Sequence, residues 1–200
     1  SSTVNGIISS RLYRLENEAK QILQEASVIG RVFLFEILRR VTVLKQDIDR
    51  SIRGLEQLDL IRTRTFEPDL EYIFKHALTQ EVVYNGLLKK ERQAVHERIG
   101  LAMEELFHDR LSEFYETLAF HFKESKSIHK AVDYLSKSGE KSFKKSAMEE
   151  SHRYFKDAFD LLSDKSKRTN EEDHLLIDLL IKWAPLFSYG ANWQGLTDLF

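Results

Sequence analysis

The amino-acid sequence predicts a mainly helical protein: a winged-helix domain with a small β-hairpin, followed by tetratricopeptide-like helical hairpins. Three observations predict this. Breakers are sparse, with two prolines and eight glycines in 200 residues, which favours helix along most of the chain. Apolar residues recur at helical spacing in stripe after stripe. Only around residues 60–74 does the period fall to near two, and there Pro68-Asp69 supplies a turn.

Taken in order, Ile8, Leu12 and Leu15 open the chain, and Ala19, Ile22, Leu23 and Ala26 follow at helical spacing until Gly30 breaks the run. Phe33, Leu34, Ile37, Leu38 and Val41 form a second stripe. Ile48, Ile52, Leu55 and Leu58 mark a third helix, with Lys45, Arg50 and Arg53 among its polar neighbours. Leu60 to Phe66 alternates apolar with basic residues, and Leu70-Glu71-Tyr72-Ile73-Phe74 resumes as a second strand. Three helices and then a hairpin outline a winged helix, placed at residues 1–90 and closed by a helix from about Ala77 to Leu88.

Residues 91–200 read as helices only. Val95, Ile99, Ala102, Met103 and Leu106 make one stripe; Leu111, Phe114, Tyr115, Leu118, Ala119 and Phe122 make the next. Ile128, Ala131, Val132 and Leu135 begin a further helix. Ser146-Ala-Met-Glu149 reads as a capping box before Ala147, Ser151, Tyr154, Phe155, Ala158 and Leu162. Thr169-Asn-Glu-Glu172 is a second box, before Leu176, Leu179, Leu180, Trp183 and Phe187. Tetratricopeptide units place small residues where paired helices cross. Gly139 in that role puts Ser151, Phe155 and Ala158 at matching positions; Ala119 in the same role gives Ala131, Leu135 and Ser138. The frames lie 20 residues apart instead of the ~34 of full repeats, so the repeats are degenerate. Trp193, Leu196, Leu199 and Phe200 read as the opening of one more helix. The pattern predicts that the repeats continue beyond Phe200 and that this end self-associates or folds back.

Composition narrows the function. Thirty basic residues balance 32 acidic ones, so no global charge pulls the chain toward nucleic acid or acidic lipid. The absence of cysteine excludes disulfides, thiolate zinc sites and a cysteine nucleophile, and fits a reducing, cytoplasmic setting. No apolar run approaches the ~20 residues of a membrane helix. Residue 1 is Ser, and a longer parent chain is expected.

Catalytic and metal motifs are missing from the sequence. There is no G-x-x-x-x-G-K-[ST] phosphate loop, no G-x-G-x-x-G and no G-x-S-x-G. The seven histidines, at 76, 96, 108, 121, 129, 152 and 174, include no pair three or four apart, the spacing that one helical face needs to hold a metal. The winged-helix outline raises DNA binding, with Lys45, Arg50 and Arg53 on the reading helix and Arg62 and Arg64 in the wing. Asp47, Asp49, Glu56 and Asp59 on or beside the same helix would repel phosphates, and argue against it.

Residues 7–34, with Ile-Ile-Ser-Ser-Arg-Leu-Tyr-Arg-Leu and Ala-Lys-Gln-Ile-Leu-Gln-Glu-Ala-Ser-Val-Ile-Gly-Arg-Val-Phe-Leu, open a series of motifs. It continues through Ile73-Phe-Lys-His-Ala-Leu-Thr-Gln-Glu-Val-Val-Tyr-Asn-Gly-Leu-Leu88, Arg92…His96-Glu-Arg-Ile, Leu118-Ala-Phe-His-Phe122 and Lys130-Ala-Val-Asp-Tyr-Leu-Ser-Lys-Ser-Gly139. In content and order this resembles the region after the ATPase core of bacterial STAND-type ATPases, which are often fused to cyclase or kinase domains. The resemblance weakens after about Lys165. It implies that the winged helix packs on the nucleotide-binding core and helps to hold the ADP-bound state, while the repeats bind partners. Plant resistance and apoptosome relatives carry a Met-His-Asp motif whose histidine contacts ADP phosphates. Phe74-Lys75-His76-Ala77-Leu78 is similar in position, with Lys for Met and Ala for Asp, so His76 becomes the candidate phosphate contact.

The expectation is therefore a non-catalytic regulatory and protein-interaction segment of a larger signalling ATPase. ATP or ADP and magnesium belong to the parent, and no cofactor to this chain. The rival is a winged-helix transcription regulator.

Overall fold

The computed structural model describes residues 10, 12–44, 48–163 and 168–189. Two compact units divide the chain, the first ending at His108 and the second starting at Asp109. The protein is mainly helical with one small antiparallel sheet, the fold class that the sequence predicts.

In the first unit, helix α1 (Asn17–Ile29) buries Ile22, Leu23, Ala26 and Val28. It ends at Gly30, whose φ of +146° lies where L side chains are strained. Strand β1 (Val32–Leu34) runs straight into α2 (Phe35–Val41), and α3 (Ile48–Gln57) follows. Strands β2 (Ile61–Thr65) and β3 (Glu71–Phe74) form the hairpin, and β1 pairs along the free edge of β3, giving the order β1-β3-β2. Then come α4 (Ala77–Asn85) and α5 (Lys89–Leu106). Ile22, Leu23, Leu38, Leu55, Ile61 and Phe74 lie in one buried cluster.

Two details correct the sequence reading. Phe33 and Leu34, expected on a helical stripe, lie in β1 opposite Tyr72 and Glu71. The turn at Gly30 lets this apolar triplet reach β3, where Phe33 stacks on Tyr72 at 5.9 Å and meets Phe74 edge-on at 5.8 Å. Leu58, expected in the core with Leu55, is 52% exposed, because α3 stops at Gln57 and Asp59 takes a left-handed φ of +62°. Helix α5 packs on α1 and α2, so the first compact unit runs past the boundary expected near residue 90. The Glu91 carboxylate caps α5 by accepting from the Leu88 N–H at 2.9 Å.

The second unit starts with a 3₁₀ turn (Leu111–Glu113) and continues as α6 (Tyr115–Ser125), α7 (Ile128–Lys144), α8 (Met148–Ser163) and α9 (Asn170–Tyr189). The stripe from Leu111 to Phe122 is therefore split: Leu118, Ala119 and Phe122 enter the core, while Leu111 precedes the helix. The box expected at Ser146–Glu149 is replaced. Ser146 lies outside the helix at φ +60°, and the Ser142 hydroxyl donates to Glu150 at 3.0 Å across the turn. The second box is formed: the Thr169 N–H donates to Glu172 at 3.0 Å, and the Glu172 N–H to the Thr169 hydroxyl at 3.3 Å. Arg153 pairs with Glu150 at 3.6 Å. Trp193, Leu196, Leu199 and Phe200 lie outside the described residues. Among those described, no helix is long and apolar enough to cross a membrane.

Candidate functional site

The helix α4 begins at the end of the sheet. Strand β3 delivers Lys75 and His76 to its N-terminus, and His76 occupies the N-cap position in extended conformation, φ −123° and ψ 131°, without a side-chain cap bond. Its ring is exposed. Lys75 is drawn aside by an ion pair with Asp59. Further along α4, the Gln80 side-chain amide donates to the Ser27 carbonyl at 2.7 Å, fastening α4 to α1. The residues present fit an anion contact at His76, because amides at a helix N-terminus favour negative charge. Among the described residues no group of three or more His, Asp or Glu could hold a metal ion.

The basic residues singled out in the sequence separate into two sets. Arg50 and Arg53, one turn apart on α3, line a groove of about 660 Å³ with Arg14. Its other lining residues include Leu15, Glu16, Glu18, Ala19, Gly54, Gln57 and Leu58. Arg62 and Arg64 project from β2, where Arg64 pairs with Glu71 at 3.2 Å. Lys45 lies outside the described residues, as does Asp47. Glu56, read from sequence as a repellent for phosphate, is engaged internally. Its carboxylate accepts from the Thr63 N–H at 3.1 Å and the Thr63 hydroxyl at 2.9 Å, tying α3 to β2. Arg14 was not singled out in the sequence; packing of α1 on α3 brings it to the groove.

Sequence reasoning also missed the polar interior of the first unit. Arg98 of α5 donates to Glu25 of α1 at 3.0 Å, while Glu25 Oε2 and Arg98 Nε are buried without a hydrogen-bond partner among the described residues. Burial raises the Glu25 pKa, against the lowering exerted by Thr42, Arg98 and Gln21. His96 is buried, with Nε2 3.2 Å from the Tyr84 hydroxyl. Burial, helped by the charge of Arg92, lowers its pKa to about 4. Both groups sit on the inward faces of α1 and α5, so they act on stability and not at a surface. Only pairing across 73 residues brings Glu25 to Arg98, and no local spacing signals it.

In the second unit α7 packs against both α6 and α8. Gly139 lies flat against the Phe155 ring: a Cβ there would meet ring carbons at 2.8–2.9 Å. The Ser151 hydroxyl donates to the Gly139 carbonyl at 2.7 Å, and Ala158 is fully buried. Ala131, Leu135 and Ser138 of α7 are buried too, as is Ala119 of α6. Both overlapping frames read in the sequence run through α7, the helix that packs on α6 and on α8. Trp183 of α9 is 1% exposed, stacks near Phe155 at 6.3 Å and donates its indole N–H to His152 Nδ1 at 3.2 Å. On the outer side of α9, Ile177 and Ile181 are exposed.

The first unit presents His76 exposed at the N-cap of α4 and an arginine-lined groove, and the second a stack of helical hairpins. Over 185 residues the chain is 29% identical to an uncharacterized protein of Rhizobium meliloti (strain 1021). That alignment covers 89% of this chain and 17% of the relative, so the chain spans about a sixth of the length of the curated relative it matches. No family model matches the chain, and no solved structure matches it.

Proposed function

We propose that this chain is a non-catalytic regulatory and protein-interaction segment of a longer, cytoplasmic signalling ATPase of the STAND type. In this reading the first unit is a winged helix that packs on the nucleotide-binding core, and the helical hairpins of the second bind partner proteins or neighbouring domains. The observation that carries it is the order of the two units. A helix–strand–helix–helix–strand–strand unit, its first strand paired with its last, precedes hairpins whose crossing depends on Gly139 against Phe155. That order is what the sequence resemblance implies. Nucleotide and magnesium are held by the parent's core, which supplies phosphoryl chemistry; this chain contributes His76 as a phosphate contact that favours the ADP-bound state. The exposed position of His76 at the N-cap of α4 supports that role.

The rival reading, a DNA-binding regulator, draws on Arg50, Arg53, Arg62 and Arg64, with Lys45 from outside the described residues. Mobility-shift titration of the chain on duplex DNA across a salt series separates the two. A DNA reader gives a steep loss of affinity with salt; the interaction segment gives no specific shift. A G-x-x-x-x-G-K-[ST] loop encoded upstream in the parent supports the ATPase assignment, and its absence there removes that assignment.

A further inference from the structure

We propose that the groove between residues 14–19 and α3 is a docking site for a protein segment of mixed charge, one carrying carboxylates beside apolar residues and a basic residue. The inference rests on the reading that the first unit meets protein and not DNA, and it gives that contact a surface and a chemistry.

The argument is one of charge complementarity. The α3 wall presents two guanidiniums, Arg50 and Arg53, with Ser51 and Gln57 between and beyond them. The facing wall presents Arg14, Glu16 and Glu18, and apolar surface comes from Ala19 and the half-exposed Leu58, over the buried Leu15. None of these five charged side chains is engaged in an ion pair with another described residue. Beside them, Gly54 leaves room: a Cβ there would meet nothing within 4 Å. A duplex backbone offers only phosphates, which Glu16 and Glu18 repel across the groove. A polypeptide offers both signs, so carboxylates meet Arg50 and Arg53 while a lysine or arginine meets Glu16 and Glu18. Its apolar residues cover Leu58 and Ala19. Complementary charge of this kind selects the partner and steers its approach.

The probe is a fluorescein-labelled synthetic peptide with Glu, Leu and Lys at helical spacing, followed by anisotropy with the whole chain. Two variants address charge and space separately. Arg50→Glu/Arg53→Glu reverses one wall, and Gly54→Phe fills the groove while leaving every charge in place. Circular dichroism verifies that each is folded, and Arg50→Gln/Arg53→Gln replaces the reversal if that one is not. Saturable peptide binding, weakened about tenfold or more by both kinds of variant, is the expected result. Absence of peptide binding, or binding indifferent to Gly54→Phe, overturns the groove assignment and leaves the interaction role standing. If duplex DNA displaces the peptide and itself binds through Arg50 and Arg53 with a steep salt slope, both readings fall.

Discussion

His76, Glu25 and His96 show how differently single residues are placed for function and for stability. His76 is exposed and forms no side-chain cap bond. His76→Ala is therefore expected to change the chain's unfolding free energy by only about 0.5 kcal/mol, as for ordinary surface positions, while weakening ADP retention by the full-length parent. Denaturant melts and a nucleotide-release assay check the two halves; a variant that does not fold removes the support for a phosphate role. Glu25 and His96 have the opposite character, and their signs can be worked out. His96 is held below its ordinary 6.5, at about 4, so its stabilisation is complete above 6.5 and is lost as pH falls toward 4. That loss amounts to about 3 kcal/mol at most. Glu25 is raised above its ordinary value of 4.5, so its contribution is full below 4.5 and declines as pH rises through the raised pKa. Stability measured against pH should lose its acid limb between 6.5 and 4 in His96→Leu, and Glu25→Gln should flatten the decline above 4.5. Unchanged profiles would contradict the burial argument for each.

At the scale of elements, the contact between α7 and α8 is the sharpest case. A methyl group at Gly139 would meet the Phe155 ring at 2.8 Å, and overpacking of a tight core costs about 1–3 kcal/mol. Gly139→Ala should destabilise the chain by that amount, and Phe155→Leu alone by a cavity cost of similar size. Together the two should cost clearly less than their sum, since the smaller side chain makes room for the methyl. Additive costs in a double-mutant cycle would mean that the helices do not cross at Gly139. This crossing was legible in the sequence because the small and aromatic residues that form it fall at fixed offsets. Strand β1 was not legible: Phe33 and Leu34 also suit a helical stripe with Ile37 and Val41, and only the free edge of β3 decides between them. The Ser146 box failed for a similar reason. A capping sequence competes with the chain reversal, and there the left-handed Ser146 and the Ser142–Glu150 bond take its place.

On the whole-molecule scale, two compact units imply two cores. Residues 1–108 and 109–200 should each give a folded, helical product when expressed alone. Cutting instead after residue 90 strips α5, with Arg98 and His96, from α1 and α2, and should leave the first piece poorly folded by circular dichroism. Equal behaviour of the two cuts would show that α5 adds nothing to the first core. Of the candidate site, the sequence disclosed the residue types but not their grouping. Arg50 and Arg53 stand one turn apart on any helix, whereas Arg14 joins them, and Glu56 turns to Thr63, only once α1, α3 and β2 have packed. Apart from β1, the order of elements is readable because each has its own period; which side chains remain for a partner depends on tertiary contacts.

In the proposed role, the chain binds its parent's nucleotide-binding core and responds to the nucleotide held there. Calorimetric titration of that core with the chain, in parallel with ADP and with a non-hydrolysable ATP analogue, is the decisive measurement. Tighter binding in the ADP state, with the preference reduced by His76→Ala, is the expected result. Equal affinity in the two states, or no binding in either, would contradict it.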